Sequence, residues 1–102
     1  MSVETPLRFR ALERADVLGF QVPVATTVVS RLLGLALLPR RHAGVGLLLP
    51  RCRSIHTFGM RFTLDVLFLD EEHRVIELRR GVPPRRVIRC PGAMAVLELP
   101  SP

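Results

Sequence analysis

Nine prolines are spread along 102 residues: Pro6, Pro23, Pro39, Pro50, Pro83, Pro84, Pro91, Pro100 and Pro102. A proline in a helix interior removes a backbone donor and clashes with the preceding turn, at about 3 kcal/mol or more. The longest helices this chain can form are therefore short. What remains is a menu of short strands and turns, and a chain of this length makes one domain, residues 1–102.

Hydrophobic periodicity fills in that menu. The loose alternation of Pro6 to Leu12 predicts an edge strand, Ala15–Asp16 a turn, and Val17 to Val24 a second strand limited by Pro23. Thr26 or Thr27 is a suitable N-cap. Val28, Val29, Leu32, Leu33 and Ala36 then recur at helical spacing, which predicts one short helix over about Thr27 to Leu35, with Gly34 near its end. Arg40 to Gly44 reads as a loop and Val45 to Leu49 as a buried strand. From Phe62 to Leu69 side chains alternate, and both faces turn apolar toward the end, so this strand is expected to be covered on two sides. Asp70 to His73 is expected to be the turn of a hairpin that returns through Arg74 to Leu78. Gly81 to Pro84 is a predicted loop, Val87 to Cys90 a short strand, Pro91–Gly92 a turn, and Met94 to Leu99 a last strand. The expected fold class is mostly β: a small β-sandwich or open barrel with one short helix.

The formal net charge of +6 is carried by arginine alone, with no lysine. A basic surface attracts anions without specificity. The arginines are scattered, however, and no aromatic side chains are interleaved with them as platforms for bases. A basic nucleic-acid-binding barrel is accordingly the weakest functional reading. Met1 to Arg10 lacks the apolar stretch of a signal peptide. The apolar runs Leu32–Leu38 and Ala43–Leu49 fall far short of the roughly 20 residues of a membrane span. These features predict a cytoplasmic chain in which Cys52 and Cys90 are thiols, the alternative being a disulfide between them.

Cys52 to Asp70 is the densest mixture of apolar, sulfur, imidazole and carboxylate side chains. Asp65, set in an apolar strand, needs an arginine, a backbone N–H or a proton to offset burial. The simplest expectation is a structural carboxylate paired with Arg31, Arg53 or Arg61. The functional alternative is a general acid or base meeting His56 across a bend at Gly59. Thr57 and Cys52 are then the available nucleophiles, although no nucleophile elbow accompanies them. Cys52 and His56 form C-x₃-H, a spacing that matches no recognised zinc knuckle, so no metal and no cofactor are expected. Met60 and Phe58 flank Gly59 and are either core or the lining of a small apolar pocket. Arg31 offers a fork for an anion or a partner for Asp65 or Glu98, and Glu98 itself needs a partner.

The segments Arg31-Leu32-Leu33-Gly34-Leu35, Gly46-Leu47-Leu48-Leu49, Ser54 to Met60, Leu64 to Asp70 and Val96-Leu97-Glu98-Leu99 follow in that order. Over roughly residues 22–99 the chain resembles the domain of unknown function 192 family, found in bacteria and archaea. The resemblance implies a compact, mostly β domain and no established activity. Two departures from the family pattern stand out. His73 occupies a turn position where relatives often carry Gly, and the family's next strand after Leu99 is missing, which predicts an unpaired sheet edge and a homodimer through it. The preferred functional expectation is a non-enzymatic module binding a small molecule or a protein partner through Arg31, His56, Thr57, Met60 and Asp65. The alternative is a hydrolase-like or metal-dependent enzyme using His56 and Asp65.

Overall fold

The computed structural model describes residues 7–102. Eight short strands and one short helix make up its regular structure apart from two three-residue 3₁₀ turns, Leu7–Phe9 and Arg40–His42. The strands are β1 (Arg14–Val17), β2 (Phe20–Pro23), β3 (Leu47–Pro50), β4 (Ser54–His56), β5 (Leu64–Leu69), β6 (Val75–Val82), β7 (Val87–Arg89) and β8 (Ala95–Pro100). The helix, α1, covers Val28–Leu33. A four-stranded antiparallel sheet in the order β3-β8-β5-β6 is flanked by two ribbons, β1–β2 and β4–β7. The fold is mostly β, with several sheets and no closed barrel among the described residues.

The four-stranded sheet is covered on both faces, as the apolar run in β5 predicts. Leu47, Leu49, Leu64, Val66, Phe68 and Val96 pack on one side with Leu35, Ile55 and Ile88. Leu48, Leu69, Ala95 and Leu97 pack on the other with Val17 and Val22 of the β1–β2 ribbon. Strand parity assigns each residue to its face, because successive side chains point to opposite sides.

Several elements differ from expectation, each for a local reason. Pro6 lies outside the described residues. Leu7–Phe9 form a 3₁₀ turn instead of an edge strand, because Phe9 is drawn into the core while Arg8 donates to the carbonyls of Gly34 and Ala36, both at 2.6 Å. Ala15 and Asp16 are strand, and the turn falls at Leu18–Gly19, whose φ of 53° and 85° are what a two-residue hairpin requires. β6 runs through Gly81 and Val82, with a register shift opposite Leu64–Val66 that absorbs Gly81 at a φ of 60°. The apolar stripe of α1 faces outward: Val28, Val29 and Leu32 are exposed, and Ser30 is the helix's buried residue. The last strand is not an edge. β8 lies between β3 and β5, and the sheet's outer strands are β3 and β6.

The hairpin between β5 and β6 shows the cost of His73. Its φ is 61°, in the left-handed region where a Cβ is crowded. Asp70 compensates: its Oδ1 accepts from the N–H groups of Glu72 (2.8 Å) and Arg74 (2.9 Å). Replacing His73 with Gly removes the crowding and keeps the Asp70 bonds. His73→Gly is expected to raise the free energy of unfolding by about 1 kcal/mol, read as a shift of the urea midpoint; an unchanged or lower midpoint contradicts this.

Candidate functional site

The site grows from the turn that ends α1. Thr27 and Ser30 form a reciprocal cap: Thr27 Oγ1 accepts from the Ser30 N–H at 3.0 Å, and Ser30 Oγ from the Thr27 N–H at 3.1 Å. At the other end Gly34 donates to the Ser30 carbonyl and turns the chain with φ 51° and ψ −126°. Glycine is needed there twice over. The backbone is left-handed, and a Cβ would stand 3.0 Å from Glu98 Oε1.

Arg31 ties α1 to the sheet. Its Nη1 donates to the carbonyls of Pro50 (2.7 Å) and Ala25 (3.4 Å), and its Nη2 to that of Arg51 (3.3 Å). Arg51 presents its carbonyl from a left-handed φ of 50°. The guanidinium therefore bonds backbone oxygens, and neither Asp65 nor Glu98 is its partner.

Between α1, the 51–53 turn, β4 and β8 lies a cleft of about 240 Å³. Its walls are largely apolar, from Leu33, Leu35, Leu49, Ile55 and Met60. Leu32, Ser54 and His56, all exposed, stand at its mouth, and Arg31, Cys52 and Glu98 complete the lining. Glu98 is its unusual member. It is only 4% exposed, and its Oε1 has no hydrogen-bond partner among the described residues. Burial pushes its carboxyl up to about 7 from the ordinary 4.5. The Cys52 thiol beside it is also pushed up, mainly by burial, and donates to the Ser54 carbonyl at 3.1 Å.

His56 and Asp65 are not brought together. His56 Nδ1 accepts from the Phe58 N–H at 3.2 Å, which assigns the proton to Nε2, and this nitrogen donates to the Leu32 carbonyl at 3.1 Å. Both ring nitrogens are engaged. Asp65 pairs across β8 with Leu99, one residue out of step with the Val66–Glu98 pair, so its side chain leaves the opposite face of the sheet. There Oδ1 accepts from the Gly81 N–H (2.9 Å) and the Ser101 hydroxyl (2.8 Å), and no arginine pairs with it. It fastens the register shift in β6 to the end of β8. Thr57 is fully buried and holds the 83–86 loop, donating to the Pro83 carbonyl at 2.7 Å and accepting from the Arg86 N–H at 2.8 Å. Of the five residues expected to bind a ligand, Arg31, His56 and Met60 line the cleft, and Thr57 and Asp65 do not. Cys52 and Cys90 are free thiols, and no cluster of three or more metal-ligating side chains occurs among the described residues. The acid of the cleft, Glu98, carries a sequence signal: it shares the parity of Val96 in an otherwise apolar strand.

Glu98 links stability to pH. Its folded-state pKa lies above its unfolded one, so the contribution of the neutral form is complete below about 4.5 and is lost as pH rises through 7. From 4.5 to 7 the loss comes to about 3 kcal/mol. Urea unfolding of the wild type and Glu98→Gln at pH 5 and pH 8 should show the wild type weakening relative to the variant across that interval. Parallel pH profiles would contradict the assignment.

Comparison with known proteins adds relatives without a named activity. The family described as an uncharacterized conserved region, domain of unknown function 192, matches residues 11–101, a longer stretch than the resemblance read from the sequence. A UPF0127 protein of Thermococcus sibiricus is 34% identical over 84 residues, covering 78% of this chain and 54% of the relative. The chain thus spans about half the length of that relative. A crystal structure of a protein of unknown function from Novosphingobium aromaticivorans superposes with a TM-score of 0.62 at 19% identity, over 96% of this chain and 88% of the other, and so shares its fold. With nearly its whole described length matched, this chain belongs to the domain of unknown function 192 family.

Proposed function

We propose that this chain is a non-enzymatic binding domain for a small molecule and that the cleft beneath α1 is its site. The observation that carries the reading is the buried, unpartnered Oε1 of Glu98 in a largely apolar cleft. A buried polar atom without a partner costs roughly 1–3 kcal/mol, and more when charged, and such a cost in a cleft is met when a ligand brings the missing bond. Left-handed backbone at Arg51, next to Cys52 of the cleft, is a further local cost. The acid–base alternative has less support, because His56 and Asp65 are engaged on different partners and opposite sides of the sheet.

The test is a fragment screen read by amide chemical shifts on the whole chain. Fragments are expected to move Gly34, Cys52 and Ile55 together, and Ser54→Trp, which fills the mouth, is expected to remove those shifts while unfolding at the same urea concentration. Shifts scattered over the surface, or unaffected by the tryptophan, would end the reading.

The partner expectation also moves to a different strand. β6 is the free edge of the four-stranded sheet, with Val75, Ile76 and Leu78 exposed along it. Arg79 and Arg80 on the same strand repel a second copy, partly offset by the Glu77–Arg79 ion pair at 3.5 Å. A homodimer through β6 is therefore expected to be weak and to strengthen as salt screens the arginines. Sedimentation equilibrium at low and high salt checks it; a monomer at both, at high protein concentration, excludes it.

A further inference from the structure

The polar groups around the cleft can be accounted for one at a time. Arg31 donates to three backbone carbonyls. Cys52 donates to Ser54. His56 has both nitrogens engaged. Ser54 is exposed to water at the mouth. Glu98 alone is buried with an oxygen unbonded. The buried capacity left unbonded in the cleft is thus an acceptor on a group that becomes an anion, beside guanidinium N–H groups of Arg31 that three carbonyls do not use up.

Resting on the reading of the cleft as a small-molecule site, we infer that its occupant carries a primary ammonium head, seated on the Glu98 carboxylate, and an aliphatic body against Leu33, Leu49, Ile55 and Met60. An ammonium supplies both things Glu98 lacks, a donor and an opposite charge. Charge-assisted bonds of this kind are roughly twice as strong as neutral ones. A carboxylate would instead meet a like charge at Glu98 once that group ionises. At about 240 Å³ the space corresponds to roughly eight waters, enough for a short alkyl chain.

The charged and titratable groups around Glu98 are few. Arg31 faces the cleft from α1, Cys52 from the turn after β3 and His56 from β4. On β5 the neighbour is Val66, with Asp65 on the other face; beyond it Arg79 of β6 is paired with Glu77. Binding an ammonium draws the proton off Glu98, so affinity follows its ionisation. The ligand's own amine stays charged well past neutrality, near 10 as in lysine.

Calorimetry and amide shifts with hexylammonium, 1-hexanol and hexanoate test the inference at pH 6 and pH 8. Hexylammonium is expected to bind about tenfold tighter at pH 8, as the ionised fraction of a group near 7 rises from about 0.1 to 0.9. Hexanol is expected to show no such gain, and Glu98→Gln to remove it. Should Glu98→Gln fail to fold, the wild-type ratio of hexylammonium to hexanol at the two pH values decides alone. Hexanol or hexanoate binding in the cleft as tightly as hexylammonium overturns the ammonium head and leaves the cleft as a site. No shift at Gly34, Cys52 and Ile55 with any of the three overturns both.

Discussion

Everything in this fold leans on the double pairing of β8. Its backbone groups are matched on one side by β3, from Leu47–Glu98 to Pro50–Ala95, and on the other by β5, from Leu64–Pro100 to Leu69–Ala95. A strand bonded along both edges leaves few buried backbone groups unmet. It also places its side chains in the two most enclosed layers of the molecule. Val96 enters one layer, and Ala95 and Leu97 the other. Gly46 lets the chain pass close against this strand; a Cβ there would lie 2.5 Å from the Glu98 carbonyl oxygen.

The same pairing decides the fate of two acids. Asp65 and Glu98 each interrupt an apolar strand, and they differ by one step of register. That step sends Asp65 to a face where a backbone N–H and a hydroxyl meet it, and Glu98 to a face where nothing does. An apolar residue would suit position 98 better if packing alone were at stake. At position 98 the carboxyl instead weakens the fold, through burial without a partner for Oε1.

Much of the architecture was legible locally. Proline spacing restricted the chain to short helices, an N-cap threonine and Gly34 marked the ends of α1 to within a residue or two, and alternation located β5 and β8. Two-sided burial of β5 followed from its apolar end. Less visible were features set by distant partners. The order β3-β8-β5-β6 depends on pairings between segments far apart in the chain, so the final strand reads as an edge when it is central. Leu18 adopts a positive φ that its side chain gives no reason to expect, so the first hairpin turn is misplaced by three residues. The outward stripe of α1 defeats amphipathic reasoning, because a capped six-residue helix held by Arg31 does not depend on burying that stripe. In the cleft, Arg31, His56 and Met60 were readable from motif and spacing. Glu98 was visible only as an acid in want of a partner, and the missing partner, not the expected salt bridge, is what makes it informative.

The two walls of the cleft differ in how firmly they are held. Glu98 belongs to a strand bonded on both edges, which opens only with the whole sheet. Opposite it stands α1, a single capped segment whose outer residues Val28, Val29 and Leu32 lie in solvent. One side of the cavity is therefore fixed by the sheet itself, and the other by little more than the Thr27–Ser30 cap and the carbonyls that Arg31 holds.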